Sequence, residues 1–204
     1  MPDRRGLIVD WGGVLTTDVF ASFRAFCGAE GLPPDTVRDL FREDRRARDL
    51  LAGLETGELD HEAFQTRFAA LLGVAPQGIV ERLFGGIAPD EAMIGAVRAA
   101  RAAGLRTGLL SNSWRAEDYD RALLEELFDA WVISGEVGMR KPDPAIYALA
   151  AERVGLPAEA LVYVDDLPGN LKPARELGMA TVVHRDAAET VPELEALLGV
   201  ALRG

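Results

Sequence analysis

The 204-residue sequence predicts an α/β fold, a Rossmann-like parallel sheet with helices on both faces plus an inserted small helical cap. Three observations support this prediction. A short apolar strand near the amino terminus ends at Asp10, and from about residue 87 onward strand-like apolar runs alternate with segments of helical periodicity. The interval 17–86 breaks the alternation and contains no convincing strand. Short strands separated by helices need right-handed crossovers, which give a parallel sheet covered on both faces.

The first strand is the apolar run Leu7-Ile8-Val9, which leads into the tight loop Asp10-Trp11-Gly12-Gly13. A helix is predicted over 89–103, where apolar residues recur at helical spacing. Further strands are predicted at 105–110, 131–133, 161–164 and 180–183, with helices between them. Asp143-Pro144 supplies an N-cap and a first-turn proline. Three glycines that follow helical runs are expected to end those helices in the left-handed conformation: Gly104, Gly155 and Gly178.

The interval 17–86 is predicted to form the helical cap, whereas residues 1–16 and 87–204 form the discontinuous core domain. Two apolar stripes at helical spacing support the cap: Val19, Phe20, Phe23, Phe26 and Cys27, and then Phe64, Phe68, Leu71 and Leu72. Asp60 is the expected N-cap of the second helix. Stripes of this kind are typical of a packed core rather than of a cofactor site.

Composition excludes several classes of function. The net charge of -11 disfavours nucleic acid and anionic membrane surfaces as partners. A single cysteine, Cys27, excludes an internal disulfide and fits a reducing compartment. No apolar run approaches the length of a membrane span, and the polar amino terminus lacks a signal-peptide core. We therefore expect a soluble cytoplasmic protein, and the sequence does not indicate its oligomeric state.

Polar residues follow four of the predicted strands, and ligands of open parallel sheets bind beyond the carboxyl ends of the strands. These residues are Asp10, Ser111-Asn112, Lys141 and Asp165-Asp166. Taken singly, each is an ordinary turn, cap or surface residue. Together they would bring three carboxylates to one edge, which costs repulsion energy unless a cation offsets it. A metal ion and Lys141 would provide that offset.

The chemistry of this residue set predicts phosphoryl transfer with Mg²⁺. Oxygen ligands with no histidine or cysteine partner favour magnesium. A carboxylate nucleophile, a metal and donors for the equatorial phosphate oxygens are what phosphoryl transfer requires. Ser111, Asn112 (through its backbone or side-chain amide) and Lys141 are suitable donors, and Lys141 would also keep Asp10 ionised.

Four segments resemble, in order, the motifs of the haloacid dehalogenase (HAD) superfamily: Asp-Trp-Gly-Gly-Val-Leu at 10–15, Leu-Leu-Ser-Asn at 109–112, Arg-Lys-Pro-Asp-Pro at 140–144 and Val-Asp-Asp-Leu-Pro-Gly-Asn at 164–170. The continuation 170–174 is similar to the epoxide-hydrolase phosphatase-like branch. The resemblance implies a HAD-like Rossmannoid core with a helical cap and Mg²⁺. It also implies roles for individual residues: Asp10 as nucleophile, Ser111 and Lys141 on the phosphate, and Asp166 and the Gly12 backbone carbonyl as metal ligands, with Asp165 assisting directly or through water.

Gly12 departs from the family pattern, because phosphatases that this chain resembles usually carry there a second aspartate, the general acid and base. Loss of such proton transfer typically costs about 10² to 10⁴ in rate. Some resembling relatives with glycine here act as sugar-1-phosphate phosphatases. We therefore expect either a substitute acid or substrates with easily departing groups, such as anomeric, aryl or acyl phosphates. The nearest substitutes by sequence are Thr16, Thr17, Asp18 and His61.

The sequence thus predicts a Mg-dependent phosphatase acting on a small phosphorylated metabolite, with two alternatives. A metal-independent 2-haloacid dehalogenase would also lack the second aspartate, and would need an arginine for the substrate carboxylate. Arg42, Arg45 and Arg46 are available, although a solvated helix face explains this basic run better. The second alternative is a phosphometabolite-binding module whose catalysis is degraded at Gly12. Retention of Asp10 and Lys141 favours chemistry over binding alone.

Overall fold

The predicted α/β fold is confirmed by the computed structural model, which describes residues 4–114 and 119–203. Its strands are β1 (Gly6–Val9), β2 (Arg106–Ser111), β3 (Ala130–Ile133), β4 (Leu161–Asp165) and β5 (Ala180–Val183). They form one parallel sheet in the order β3-β2-β1-β4-β5. Each predicted strand is present, with its ends shifted by one residue at most. Because β1 lies at the centre, its carboxyl end is flanked by those of β2 and β4.

Helices cover both faces of the sheet. In chain order they are α1 (Val19–Ala29), α2 (Thr36–Glu43), α3 (Arg45–Glu55), α4 (His61–Leu72), α5 (Ile79–Phe84), α6 (Glu91–Ala102), α7 (Arg121–Leu127), α8 (Ser134–Val137), α9 (Pro144–Val154), α10 (Pro168–Glu176) and α11 (Ala187–Leu198). Leu7 and Val9 of β1 pack with α6, α7 and α11, whereas Ile8 packs with α9 and α10 on the opposite face. This alternation along one strand is why β1 is apolar throughout.

The predicted capping residues and glycines lie at the helix ends as expected, except that one helix begins later than predicted. The Asp60 and Asp143 side chains cap α4 and α9 by accepting backbone hydrogen bonds, as predicted. The predicted glycines after α6, α9 and α10 all have positive φ. The helix predicted from residue 89 begins two residues later, because the Asp90 side chain accepts a hydrogen bond from Met93 N at 2.9 Å and becomes the N-cap.

Helices α1 to α5 form the helical cap, which has an apolar core of its own. Its centre is aromatic: Phe64 and Phe68 are fully buried and stacked, with ring centroids 5.1 Å apart. Cys27 is buried in the same cluster, as a small apolar residue. The second predicted stripe therefore serves packing, whereas Val19, Phe20 and Phe23 of the first stripe also line a cavity beneath the cap.

Two neighbouring segments connect the cap to the sheet. Thr16 and Pro89 form an isolated antiparallel bridge, and Asp90 N donates to Leu15 O at 2.9 Å. The exact limits of the core and cap, at 16/17 and 86/87, stay a prediction. Among the described residues, no helix combines the length and apolar character needed to cross a membrane.

Candidate active site

The sheet brings the predicted polar residues to one edge. Val9, the last residue of β1, pairs with Leu109 of β2 and Val164 of β4. The next residue, Asp10, donates its backbone N–H to Val164 O at 2.9 Å. All the predicted site residues except the fully buried Asp165 line a cavity of about 500 Å³ between the sheet edge and the cap: Asp10, Gly12, Ser111, Asn112, Lys141 and Asp166.

Lys141 joins two of the three carboxylates. Its Nζ lies 2.8 Å from Asp10 Oδ2 and 2.8 Å from Asp165 Oδ2, and the side chain is only 1% exposed. Burial of an ammonium is costly unless it is paired, and these two contacts supply the pairing. The two carboxylates raise the pKa of Lys141 against the opposing effect of burial, so this lysine stays charged.

Asp165 differs from its neighbour Asp166 because its oxygen atoms are already occupied by protein donors. Oδ2 accepts from Tyr163 Oη at 2.5 Å as well as from Lys141, and Oδ1 accepts from Leu167 N at 2.8 Å. Asn170 Nδ2 contacts both oxygens, at 3.0 and 3.1 Å. Asp165 is fully buried, whereas Asp166 is partly exposed and lines the cavity. Asp165 is therefore placed to hold Lys141, and Asp166 is the more available ligand for a cation.

The three carboxylates fit a divalent metal ion. One oxygen from each of Asp10, Asp165 and Asp166 can be chosen so that all three atoms lie within 4.8 Å of one another. Burial, aided by the neighbouring Asp165 charge, raises the pKa of Asp166 to about 7. Burial likewise raises the pKa of Asp10, against the attraction of Lys141. In both cases burial is the main cause, the neighbouring carboxylates add to it, and Lys141 opposes it without cancelling it.

The loop after β1 lies directly against Asp166. Gly13 has a φ of +72°, and a Cβ placed on it would stand 2.5 Å from Asp166 Oδ2. Glycine is thus required there both by the backbone conformation and by the close approach. At Gly12, by contrast, an added Cβ would meet only Val19 Cγ2, at 3.4 Å. Position 12 therefore has room for a Cβ, although the expected acid is absent.

Ser111 and Asn112 have different surroundings. Ser111 Oγ is hydrogen-bonded to Tyr119 Oη at 2.8 Å, and both groups line the cavity. The Asn112 side chain instead holds the backbone of Lys141 on both sides: Lys141 N donates to Asn112 Oδ1 at 2.8 Å, and Asn112 Nδ2 donates to Lys141 O at 3.1 Å. A phosphate-binding role for Asn112 therefore depends on its backbone amide.

None of the four residues considered as a substitute acid lines the cavity. Thr16 Oγ1 accepts from Gly13 N, and Thr17 Oγ1 accepts from Ala88 N. Asp18 caps α1 and pairs with Arg24, while His61 Nδ1 contacts Gln65 at 3.1 Å. Each therefore makes local contacts outside the cavity.

The cap covers the site with an apolar surface. We call five cavity-lining rings the aromatic wall: Phe20, Phe23, Phe41, Phe84 and Trp114. Trp114 follows Ser111 by three residues, so it belongs to the core, yet its ring packs edge-on against Phe41 and Phe84 at 5.7 and 4.9 Å between centroids. Val19, Leu51 and Val80 extend the apolar surface. The cap also contributes two acidic residues, the exposed Glu81 and the buried Glu55.

Sequence reasoning missed the pair formed by Glu55 of α3 and Arg140. Glu55 Oε2 accepts from Arg140 Nε and Nη2, both at 2.5 Å, across the boundary between cap and core. Glu55 is 5% exposed, and burial raises its pKa while Arg140 opposes that effect. A glutamate at the end of a polar helix carries no sequence signal that it is buried. The proximity of Arg140 to Lys141 is the one hint that the sequence contained.

The basic run of α2 and α3 lies outside the cavity. Arg42 pairs with Asp39 and Glu43, Arg45 pairs with Asp49, and Arg46 pairs with Asp44. All three arginines are exposed, which agrees with a solvated helix face. Among the described residues, Arg140 is the arginine that lines the cavity, and its guanidinium already pairs with Glu55.

Comparison with known proteins agrees with the family resemblance found in the sequence motifs. The model of the haloacid dehalogenase-like hydrolase family matches residues 5–178. Bifunctional epoxide hydrolase 2 of Rattus norvegicus is 34% identical over 117 residues, covering 54% of this chain and 21% of the relative. A glyceraldehyde 3-phosphate phosphatase of Methanocaldococcus jannaschii is 34% identical over 86 residues, covering 40% of this chain and 38% of the relative. The chain thus spans about a fifth of the length of the epoxide hydrolase that it matches.

Solved structures show the same fold at low identity. A HAD family enzyme of Bacteroides thetaiotaomicron, in complex with magnesium and inorganic phosphate, aligns with a TM-score of 0.66 and 21% identity. The alignment covers 89% of this chain and 94% of that one. The fold is therefore shared over most of the molecule.

Proposed function

Because the chain belongs to the haloacid dehalogenase-like hydrolases, we propose that it is a Mg²⁺-dependent phosphatase that hydrolyses a small phosphorylated metabolite through an aspartyl-phosphate on Asp10. The observation that carries the proposal is the position of Asp10, buried against the charged Lys141 and within reach of the other two carboxylates. This arrangement combines a nucleophile, a fixed cation and a candidate metal site in one cavity. Phosphoryl transfer uses all three.

In the proposed reaction, the Asp10 carboxylate attacks phosphorus while the bond to the leaving oxygen breaks. Water then hydrolyses the acyl phosphate, which releases inorganic phosphate and restores the carboxylate. Lys141, Ser111 Oγ and the Asn112 backbone amide bind phosphoryl oxygens. Lys141 also lowers the pKa of Asp10, but it does not offset the effect of burial, so full ionisation of this carboxylate would need the metal as well. Asp10, Asp166 and the Gly12 carbonyl would hold Mg²⁺, with Asp165 assisting mainly through Lys141. The metal, when bound, supplies positive charge to the transferring group.

The residues that line the cavity indicate which kind of leaving group would fit. With glycine at position 12 there is no acid at the usual place, which favours substrates whose leaving group departs without a proton. Of the groups expected from sequence, a sugar 1-phosphate would need several polar partners, whereas the cap offers mainly the aromatic wall. An aryl or similarly apolar leaving group would bury its surface against that wall. We therefore place apolar phosphate esters ahead of sugar phosphates.

Within the part of the chain that the structure describes, neither alternative gains a supporting contact. A dehalogenase needs an arginine for the substrate carboxylate, and the run Arg42, Arg45 and Arg46 pairs with acids outside the cavity. A pure binding module does not require a buried nucleophile held at 2.8 Å from a lysine.

The deciding experiment measures phosphate release with Mg²⁺ from a panel that holds acetyl phosphate, phenyl phosphate and glucose 1-phosphate, with chloroacetate as a halide-release control. We expect multiple turnovers that cease with EDTA and in Asp10→Asn. Halide release without metal would establish the dehalogenase instead. Tight binding of phosphate esters with no turnover would establish the binding module.

A further inference from the structure

Glu55 is placed to act on the active site from the cap. It is the last residue of α3, and both its contacts cross to the core: Arg140 Nε and Nη2 at 2.5 Å, and Asn112 Nδ2 at 3.3 Å. Arg140 immediately precedes Lys141, and the Asn112 amide holds the Lys141 backbone on both sides. One buried carboxylate thus contacts two of the groups that fix the position of Lys141.

A second contact shows that this turn of the cap is docked on the core. Gly57 has a φ of +75°, and a Cβ placed on it would stand 3.2 Å from the backbone oxygen of Gly135. The chain just after α3 therefore lies close against the start of α8, where a side chain at position 57 would be crowded. Glu55 reaches Arg140 only because the end of α3 approaches the core this closely.

We propose that Glu55 is a positioning residue for the reaction: it fixes the Lys141 loop through Arg140 and Asn112 when the cap is docked. The inference rests on the proposed function, because Lys141 is taken to bind phosphate and to orient Asp10. A charge pair with short contacts resists displacement, since separating it would leave the buried Glu55 carboxylate unpaired. Lys141 Nζ must meet Asp10 and Asp165 at once, so a small shift of its backbone would break one of these contacts.

The test compares Glu55→Gln, Arg140→Gln and the double variant with a matched control, Glu30→Gln. Glu30 also belongs to a cap ion pair, with Arg82 at 3.0 Å, but that pair lies within the cap. Three quantities are measured: kcat and KM for phenyl phosphate with Mg²⁺, the Kd of inorganic phosphate with Mg²⁺, and the Kd of Mg²⁺ alone.

In Glu55→Gln and Arg140→Gln we expect kcat/KM to fall about 10- to 100-fold, a size typical when a supporting partner of a site residue is removed. Phosphate affinity should fall with it, whereas Mg²⁺ affinity should stay within about threefold, because Asp10 and Asp166 are untouched. The double variant should lose no more than the worse single variant, since the two residues act as a unit. Glu30→Gln should match the wild type in all three quantities.

Several results would overturn the proposal: unchanged kcat/KM and phosphate affinity in Glu55→Gln, additive losses in the double variant, or an equal loss of Mg²⁺ affinity. Loss of one limb of the pH profile with normal phosphate affinity would also contradict it, because that result would assign proton transfer to Glu55. If Glu55→Gln does not fold, the same measurements on Arg140→Gln test the proposal, because position 140 is only half-buried. If the wild type releases no phosphate from any ester, the proposed function fails, and the phosphate affinities alone test the role of Glu55.

Discussion

The Asp166 carboxylate lies directly against the backbone of Gly13, so closely that a Cβ on Gly13 would stand 2.5 Å from Asp166 Oδ2. The loop that carries Asp10, the proposed nucleophile, and the strand end that carries Asp166, the candidate metal ligand, thus form one packed unit. A substitution in the loop should therefore shift the Asp166 carboxylate, and a substitution of Asp166 should alter the packing of the loop.

Gly13→Ala tests this packing. A methyl group there must displace Asp166, so Mg²⁺ affinity should fall at least about tenfold, and the left-handed conformation should cost about 1–2 kcal/mol of unfolding free energy. Gly73→Ala is the matched control, because Gly73 has the same φ of +72° and no atom within 4 Å of the added Cβ. Calorimetric titration with Mg²⁺ and urea unfolding measure the two effects. Equal Mg²⁺ affinity in both variants would show that Gly13 matters only for its backbone.

Gly12→Asp tests the missing acid. The structure leaves room for a Cβ at position 12, since this atom would meet only Val19 Cγ2, at 3.4 Å. We expect hydrolysis of simple alkyl phosphates to become about 10² to 10⁴ times faster, because a proton donor would reach the leaving oxygen. Gly12→Asn has nearly the same shape without the proton and should give no such gain. An unchanged or lower rate in Gly12→Asp, with folding and Mg²⁺ binding intact, counts against the hypothesis.

Asp165→Asn and Asp166→Asn should differ in which property is lost. Asp165 is fully buried and pairs with Lys141, so its substitution should lower the unfolding free energy by about 3–5 kcal/mol. Asp166 is partly exposed and lines the cavity, so its substitution should mainly abolish Mg²⁺ binding while leaving stability equal or higher, because repulsion is relieved. Unfolding curves and Mg²⁺ titrations of both variants check this contrast. The reverse assignment would make Asp165 the principal metal ligand.

Mg²⁺ binding should depend on pH with a definite sign. In the metal-free protein, burial raises the pKa of Asp166 to about 7 and that of Asp10 to about 8. Protons therefore compete with the metal below these values, and the Mg²⁺ affinity should rise as pH increases from 5.5 and level off above about 8. Calorimetry near pH 7 in two buffers of different ionisation enthalpy should show proton release on binding. A pH-independent affinity with no proton release would mean that neither carboxylate takes up a proton in the metal-free site.

The sequence was sufficient for the parallel sheet and for the polar residues at its edge. Apolar runs ending at Asp10, Ser111 and Asp165 are local patterns, and the parallel topology alone brings strand ends together. The contacts of Glu55 with Arg140 and of Tyr119 with Ser111 were not predictable in this way. They depend on how the cap and a loop pack on the core, and no periodicity in the chain records that packing.

The separate functions of Asp165 and Asp166 also needed the structure. As adjacent carboxylates they look equivalent in sequence, but consecutive residues at a strand end point in different directions. Asp165 contacts Lys141, Tyr163 and Asn170 in the interior, whereas Asp166 lines the cavity.

The most direct test is mass spectrometry of the protein after rapid acid quenching during turnover of acetyl phosphate with Mg²⁺. We expect the peptide containing Asp10 to gain the mass of one phosphoryl group, and we expect no such gain in Asp10→Asn or in EDTA-treated protein. Steady phosphate release with no modified peptide, or with the phosphoryl group on another residue, would contradict this expectation.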